Sequence, residues 1–240
     1  MRRQRIDELM DDPALDPAEH VRALNGLARL NSWSHAAGPI AREIIHANPK
    51  PAPIPKGQLV GVLDVACGSG DVTVDVVDRV NRAGIPADGM GVDVSDVAID
   101  TAQQRGHASP HSVVFAKRDL FTLPLPRGFD VIFCSLFLHH LERERAVELL
   151  RKMTAKARSL VVVSDLLRTR TGLFLAQLST KTLTRSHVVH VDGPRSVRAA
   201  FTEDEFRQIA ADAGVSADRV NFRRVWPQRF VASWRTNAGD

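Results

Sequence analysis

Leu59-Val60-Gly61-Val62-Leu63-Asp64-Val65-Ala66-Cys67-Gly68-Ser69-Gly70-Asp71 decides the fold, because an apolar run ends there in a glycine turn and a helical segment follows at once. Without side chains at Gly68 and Gly70 the backbone can approach a ligand closely. A second apolar stretch, Gly89-Met90-Gly91-Val92-Asp93-Val94-Ser95, brings a carboxylate about 25 positions after Gly68. On a neighbouring parallel strand, that spacing offers Asp93 to a ribose. Together the two motifs point to a nucleoside cofactor.

Outward from this stretch, apolar strands alternate with amphipathic helices. The pattern predicts strands over 59–65, 89–94, 112–116, 129–135 and 159–164, and helices over 71–83, 96–106 and 142–157. Strands that are continuously apolar and separated by such helices form a parallel sheet covered on both faces. In the segment 142–157, Ala146, Leu149, Leu150 and Met153 make the stripe that packs on it. Near the end, Thr202-Glu203-Asp204-Glu205 is a capping box, with Phe206, Ile209, Ala210 and Ala213 at helical spacing and Gly214 as the stop. Val220–Val225 and Arg229–Trp234 read as two strands joined across Trp226-Pro227-Gln228, a hairpin expected to put an antiparallel strand at the sheet edge.

Before the glycine turn, Asp16-Pro17-Ala18-Glu19 sets a capping side chain, a first-turn proline and an N3 glutamate in order, so a helix should run to about Asn31. A second short helix is expected over 40–47. The proline-rich segment 48–57 cannot continue it and reads as a linker. The expected organisation is a helical cap and linker over 1–57, a core over 58–165, an insertion over 166–200, and a helix and strands over 201–240 that complete the core sheet.

Composition narrows the function classes. The 240 residues, 44% apolar and 25% charged, suffice for one substantial domain with a buried core. Thirty-two basic residues against 28 acidic ones give a net charge of +4, but they interleave along the chain, which argues for a solvated surface and against a nucleic-acid partner. No run of eighteen apolar residues and no hydrophobic leader is present, so no membrane partner and a cytoplasmic location are expected. Two cysteines, Cys67 and Cys134, make no disulfide framework, and no Cys/His cluster has the spacing of a zinc site, so no metal is expected.

Val62 to Gly70 resembles the first motif of class I S-adenosylmethionine-dependent methyltransferases, with an acidic residue on the strand and then Gly-x-Gly, as in Asp64, Gly68 and Gly70. A nicotinamide fingerprint would ask for a third glycine where Thr73 stands. The resemblance implies an α/β, Rossmann-like fold whose mostly parallel seven-stranded sheet has helices on both faces and a C-terminal antiparallel hairpin. It also implies S-adenosylmethionine as cofactor. Asp64, Ala66, Cys67, Gly68, Ser69 and Gly70 would hold its amino-acid end, and Asp93 with Val94 its ribose. Lys117-Arg118-Asp119-Leu120 is similar to the third contact of that family, with Asp119 accepting from the adenine amino group and Leu120 packing on the ring.

Phe129-Asp130-Val131-Ile132-Phe133-Cys134-Ser135 leads into Leu136-Phe137-Leu138-His139-His140-Leu141, which resembles the Leu-His-His-Leu segment of small-molecule members. Ligands gather at the carboxyl ends of parallel strands. Cys134 and Ser135 should therefore border the methionine part, Leu136 the acceptor, and His139 or His140 is the candidate base for an acceptor hydroxyl. Between Leu166 and Ala200 the chain carries six basic residues against the single carboxylate Asp192. This is where family members build an acceptor lid. Its Leu173-Phe174-Leu175 and Val188-Val189 would supply apolar lining, and His187, His190 and Arg195 polar contacts. From the N-terminal helix, Arg29 would pair with the cofactor carboxylate and Trp33 would cover acceptor or cofactor.

The expected reaction is O-methylation of a phenolic, polyketide or quinone-like small molecule, with C-methylation of a quinone precursor as the alternative. A nicotinamide-dependent reductase and a nonenzymatic nucleic-acid binder are the readings from other classes. A homodimer is compatible with all of them.

Overall fold

The computed structural model describes residues 1–12, 14–48 and 59–236. Of the linker expected over 48–57, only Asn48 is among them, and the rest of that segment lies outside the described residues.

Two helices precede the sheet. In α1 (Pro17–Trp33) Asp16 accepts the Glu19 N–H at 3.0 Å and Pro17 fills the first position, the two signals read from the sequence. Helix α2 (Ala37–Ala47) buries Ile40, Ala41 and Ile44 on one face. Then come β1 (Val60–Val65), α3 (Asp71–Arg82), β2 (Ala87–Asp93), α4 (Asp96–His107), β3 (Val113–Lys117), β4 (Val131–Ser135), α5 (Arg143–Lys156) and β5 (Leu160–Leu166). The segment after β5 forms two helices, α6 (Arg170–Leu183) and α7 (His187–Ala199), started by Thr169 and Ser186 caps. Helix α8 (Glu203–Asp212) carries the capping box between Thr202 and Glu205, and β6 (Asn221–Val225) and β7 (Arg229–Arg235) close the chain.

The seven strands form one sheet in the order β3-β2-β1-β4-β5-β7-β6. Strands β1 to β5 pair in parallel, whereas β7 is antiparallel to both β5 and β6. The hairpin thus corrects the sequence reading in one respect. The antiparallel strand is β7, which lies inside the sheet, and the edge strand β6 runs with the other five. The strand composition accounts for this: β7 (Arg-Phe-Val-Ala-Ser-Trp-Arg) is buried at every residue but the last and needs neighbours on both sides, while β6 keeps two arginines in half-exposed or exposed places.

Alternation along each strand sorts the core into two faces. Leu63, Ile132, Val161, Val163 and Phe230 meet α5 and α8 on one face. Val62, Val131, Val162 and Val231 meet α2 and α3 on the other. The strand order reverses between β1 and β4, so their carboxyl ends open a crevice, the place where ligands bind in such sheets. Helices α1, α6 and α7 pack together above it. No described helix is long and apolar enough to cross a membrane.

Candidate active site

The floor of the crevice is built by backbone conformation. After β1 the chain turns through left-handed conformations at Ala66 (φ 60°), Gly68 (φ 52°) and Gly70 (φ 72°), and only then enters α3. Glycine adopts this region at no steric cost, whereas Ala66 and the equivalent residue after β4, Leu136 (φ 55°), carry strain. Both strained residues line the cavity. A Cβ at Gly68 would meet nothing within 4 Å and would stand in the cavity itself, so the glycine keeps a cradle clear. At Gly70 a Cβ would lie 2.5 Å from Phe115 Cζ, so that glycine serves packing beneath the turn.

Carboxylates surround this floor. Asp93, at the end of β2, accepts the Gly68 N–H at 2.8 Å through one oxygen and the Ser95 N–H at 3.0 Å through the other. It ties the glycine turn to the neighbouring strand and keeps lone pairs free on both oxygens for a diol. Asp64 is fully buried, and desolvation holds its carboxyl well above the usual carboxylate range. Thr73 donates to Asp64 Oδ2 at 2.6 Å, but the buried Oδ1 has no partner, and Asp64 lines the cavity. A buried acceptor without a donor is costly, and an ammonium group would satisfy it.

The cavity encloses about 240 Å³. Leu24, Leu27, Leu30 and Trp33 of α1 line one wall, and Leu175 and Ala176 of α6 and Val197 of α7 line another. The lining surface is mostly apolar with polar groups set among it, the usual make-up of a small-molecule pocket.

One of those polar groups is a coupled pair. His139 lies in a short turn after β4 and is 3% exposed. Its Nδ1 is 2.7 Å from Asp165 Oδ1, and its backbone N–H donates to Asp165 Oδ2 at 3.1 Å. Burial would raise the Asp165 carboxyl, but the charge and hydrogen bond of His139, with the Leu166 and His139 backbone N–H groups, hold it below its ordinary value. Facing a carboxylate, Nδ1 carries a proton, so in the neutral form of the ring the lone pair is on Nε2. The nearest carboxylate oxygen to Nε2, Glu8 Oε1, is 3.8 Å away, beyond hydrogen-bond distance.

His140 has a different setting. Its Nδ1 is 3.2 Å from Asp11 Oδ2 and its Nε2 is 3.8 Å from Glu8 Oε2. Desolvation pulls its pKa down, but the Asp11 hydrogen bond and the charges of Glu8, Asp11 and Asp165 outweigh it and raise it to about 9. His140 is therefore a cation at neutral pH. Glu8, His139 and His140 bring one ligand-type atom each within 4.8 Å of one another, the donor set of a transition ion. With His140 protonated, the same group neutralises Glu8 through a proton.

The second polar feature is Arg229, the first residue of β7, which lines the cavity and is 3% exposed. Its Nη1 donates to Ser34 Oγ at 2.9 Å. Burial lowers its pKa to about 10, against the opposing charges of Asp165 and Asp71, and it stays protonated at neutral pH.

The structure brings together at the cavity Trp33, Asp64, Ala66, Cys67, Gly68, Ser69, Ser135, Leu136, His139 and His140. Asp93, Val94 and Asp119 lie outside it, along the carboxyl ends of β2 and β3. Val94 is 62% exposed there, and Asp119 accepts the Phe121 N–H, which lowers its carboxyl. Leu120 is buried in the core, as is Cys134. Burial pushes both cysteine thiols up, as expected for inert packing residues.

Four further expected contacts do not reach the cavity. Arg29 is exposed on the face of α1 opposite the lining leucines. His187 is exposed at the start of α7, His190 Nε2 is engaged by the Thr184 carbonyl at 2.9 Å, and Arg195 donates to the Asp7 carbonyl and pairs with Asp192. Helical phase explains Arg29 on α1 and Arg195 on α7, where Asp192, Gly193, Ser196 and Val197 set the cavity face, whereas His187 and His190 lie in the first turn of α7. Likewise Leu175 lines the cavity, while Phe174 is 64% exposed and Val188 and Val189 pack against Ala23.

Three cavity residues or partners were not read from the sequence. Asp165 follows the run Val161-Val162-Val163-Ser164 near the end of β5, much as Asp93 closes β2, a shared signature the sequence carries. Glu8 and Arg229 carry no local signal, because only the tertiary path of the N-terminal segment and the β7 register place them.

Residues 62–159 match the family described as "Methyltransferase domain". Demethylmenaquinone methyltransferase of Symbiobacterium thermophilum is 36% identical over 74 residues, 30% of this chain and 25% of that protein. The matched stretch thus spans a quarter of that relative's length. Among solved structures, the O-methyltransferase NcsB1 from neocarzinostatin biosynthesis, in complex with S-adenosyl-L-homocysteine and 1,4-dihydroxy-2-naphthoic acid, aligns with a TM-score of 0.62 at 18% identity, covering 95% of this chain and 61% of that one. Magnesium protoporphyrin IX methyltransferase from Synechocystis PCC 6803, with bound SAH, aligns at 0.57 and 18% identity over 85% and 83%. At these identities the structures show a shared fold.

Proposed function

We propose that this chain, which matches a methyltransferase domain over residues 62–159, transfers the methyl group of S-adenosylmethionine to an oxygen of a phenolic, polyketide or quinone-like small molecule. The observation that carries the reading is the His139–Asp165 pair, buried and opening onto the same cavity as the glycine cradle. The fit to the cofactor rests on Gly68, which keeps the cradle clear, on the unpartnered Asp64 Oδ1, and on the lone pairs of Asp93.

When bound, S-adenosylmethionine supplies a methyl group on a positively charged sulfur. Asp64 meets its ammonium end, Asp93 its ribose, and Asp119 its adenine edge. The acceptor lies between α1 and α6 with its hydroxyl at His139 Nε2. A phenol has a pKa of about 10, so its proton must leave before or during attack. Nε2 takes that proton, and Asp165 stabilises the imidazolium that forms and keeps the ring in the right tautomer. The leucines of α1 and the apolar face of α6 exclude water and hold the nucleophile in line, which supplies much of the acceleration. In this scheme α6 and α7 are the acceptor lid and residues 1–47 the cap.

C-methylation of a quinone precursor is the second reading, and the stretch shared with demethylmenaquinone methyltransferase favours it. A nicotinamide cofactor fits less well. Thr73, where the third fingerprint glycine would stand, is fully buried and donates its hydroxyl to Asp64.

The test is mass spectrometry of reactions with a panel of phenols, pyrones and quinols. The reading expects one added methyl group, and NMR of the product separates O-methyl from C-methyl. Cofactor turnover with none of the panel, or a C-methyl product alone, rejects O-methylation.

A further inference from the structure

Arg229 is a buried cation that feels the charges of Asp165 and Asp71 but is paired with neither. Its Nη1 is used by Ser34, while Nε and Nη2 have no hydrogen-bond partner. The other deeply buried arginine, Arg168, shows what a structural guanidinium looks like here. Its Nε donates to the Met1 carbonyl, its Nη1 to the Ala200 carbonyl and its Nη2 to Glu205. Arg229 makes no ion pair among the described residues, and it is the one lysine or arginine among those lining the cavity. Burying an unpaired charge costs several kcal/mol unless something satisfies it.

The two free nitrogens are not scattered. Nε–H and Nη2–H project along the same edge of the planar guanidinium and form the side-on fork that matches the two oxygens of a carboxylate. In the same cavity Asp64 presents the complementary orphan, a buried oxygen without a donor. We propose that Arg229 is the receptor for a carboxylate of a bound ligand, held by its Nε and Nη2 inside this cavity. The proposal rests on the reading of the cavity as a cofactor and acceptor site, and it assigns to Arg229 the role that Arg29 is too far round α1 to fill. Two ligands of that reaction can bring the carboxylate: the amino-acid tail of the cofactor, with its ammonium at Asp64, or an acid group on an aromatic acceptor.

Calorimetric titration of the full chain with four probes separates the sources. S-adenosylhomocysteine carries the tail carboxylate and 5′-methylthioadenosine does not; salicylate carries an aromatic carboxylate and phenol does not. Arg229→Met is expected to weaken one carboxylate probe about tenfold to a hundredfold, the range for a lost charged hydrogen bond, with its carboxylate-free counterpart unchanged. Arg229→Lys should recover part of the loss. Loss confined to S-adenosylhomocysteine assigns the cofactor tail, and loss confined to salicylate assigns the acceptor. Equal affinities in wild type and variant, or equal losses for both members of a pair, overturn the proposal. Should Arg229→Met fail to fold, the ¹⁵Nε resonance of Arg229 in the wild-type protein gives the answer. It should shift with a carboxylate probe and not with its counterpart, and a resonance indifferent to all four overturns the proposal. If the wild type binds neither nucleoside, the cofactor reading fails on its own, and Arg229 then stands or falls on salicylate.

Discussion

His139 and Asp165 are joined twice, by Nδ1 to Oδ1 at 2.7 Å and by the His139 backbone N–H to Oδ2 at 3.1 Å. One carboxylate thus fixes both the ring tautomer and the turn that carries the ring. Asp165 lies near the carboxyl end of β5 and His139 in the short turn after the neighbouring strand β4, so the parallel pairing of the two strands brings these segments side by side. In the proposed reaction His139 moves the proton, and Asp165 acts through it as a positioning residue.

His139→Ala should lower kcat about 10²-fold to 10⁴-fold, the usual contribution of a general base, with little change in S-adenosylhomocysteine affinity. Asp165→Asn should lower kcat as well, because an amide facing Nδ1 favours the wrong tautomer. Steady-state kinetics with a phenolic acceptor, beside nucleoside titrations, measures both. Wild-type kcat in both variants removes the base from the mechanism.

Asp93 holds the Gly68 N–H and faces the expected ribose position. Asp93→Ala should weaken S-adenosylmethionine binding by about 1.5–3 kcal/mol, as for a lost charged hydrogen bond. Titration calorimetry reads this directly, and unchanged affinity excludes Asp93 from the site.

The two glycines of the turn should respond differently to the same substitution. At Gly70 a methyl group meets Phe115 at 2.5 Å with φ at 72°, so Gly70→Ala combines about 1–2 kcal/mol of left-handed strain with about 1–3 kcal/mol of overpacking. At Gly68 the new methyl has open space, so Gly68→Ala adds only the strain to stability but obstructs the cradle. Thermal unfolding should therefore rank Gly70→Ala as the less stable variant, while nucleoside titration shows the larger affinity loss per unit of stability for Gly68→Ala. The reverse ranking would contradict the assignment of cradle and packing roles.

His140 links stability to pH. Its folded pKa of about 9 lies above the ordinary histidine value near 6.5, so its ion pairs stabilise the fold fully below that ordinary value. That stability is lost as pH rises through about 9. Urea unfolding across this window should show a decline in wild type that Asp11→Asn reduces. An equal decline in the two proteins would detach the effect from the His140–Asp11 pair.

Much of the fold was legible because its signals are local. Apolar runs mark β1, β4 and β5, and side-chain caps at Asp16 and Thr202 start α1 and α8 as read. The glycine turn and its tie to Asp93 were equally legible, since one strand–turn–helix unit and its neighbour fix them. The acceptor side was not. Whether Arg195 or Asp192 faces the cavity depends on the rotation of α7, which the chain at Leu9 and Met10 fixes by donating two backbone N–H groups to Asp192. Arg229 owes its burial to pairing with Leu166 across β5 and β7, a contact 63 residues apart in sequence that no local pattern announces.

The central claim is that the crevice between β1 and β4 holds a sulfonium nucleoside. Calorimetric titration with S-adenosylhomocysteine tests it most directly, with NADH titrated in parallel. The account predicts saturable one-to-one binding of S-adenosylhomocysteine that Asp93→Ala weakens, and no binding of NADH. Saturable binding of NADH, with no heat from S-adenosylhomocysteine, would contradict it.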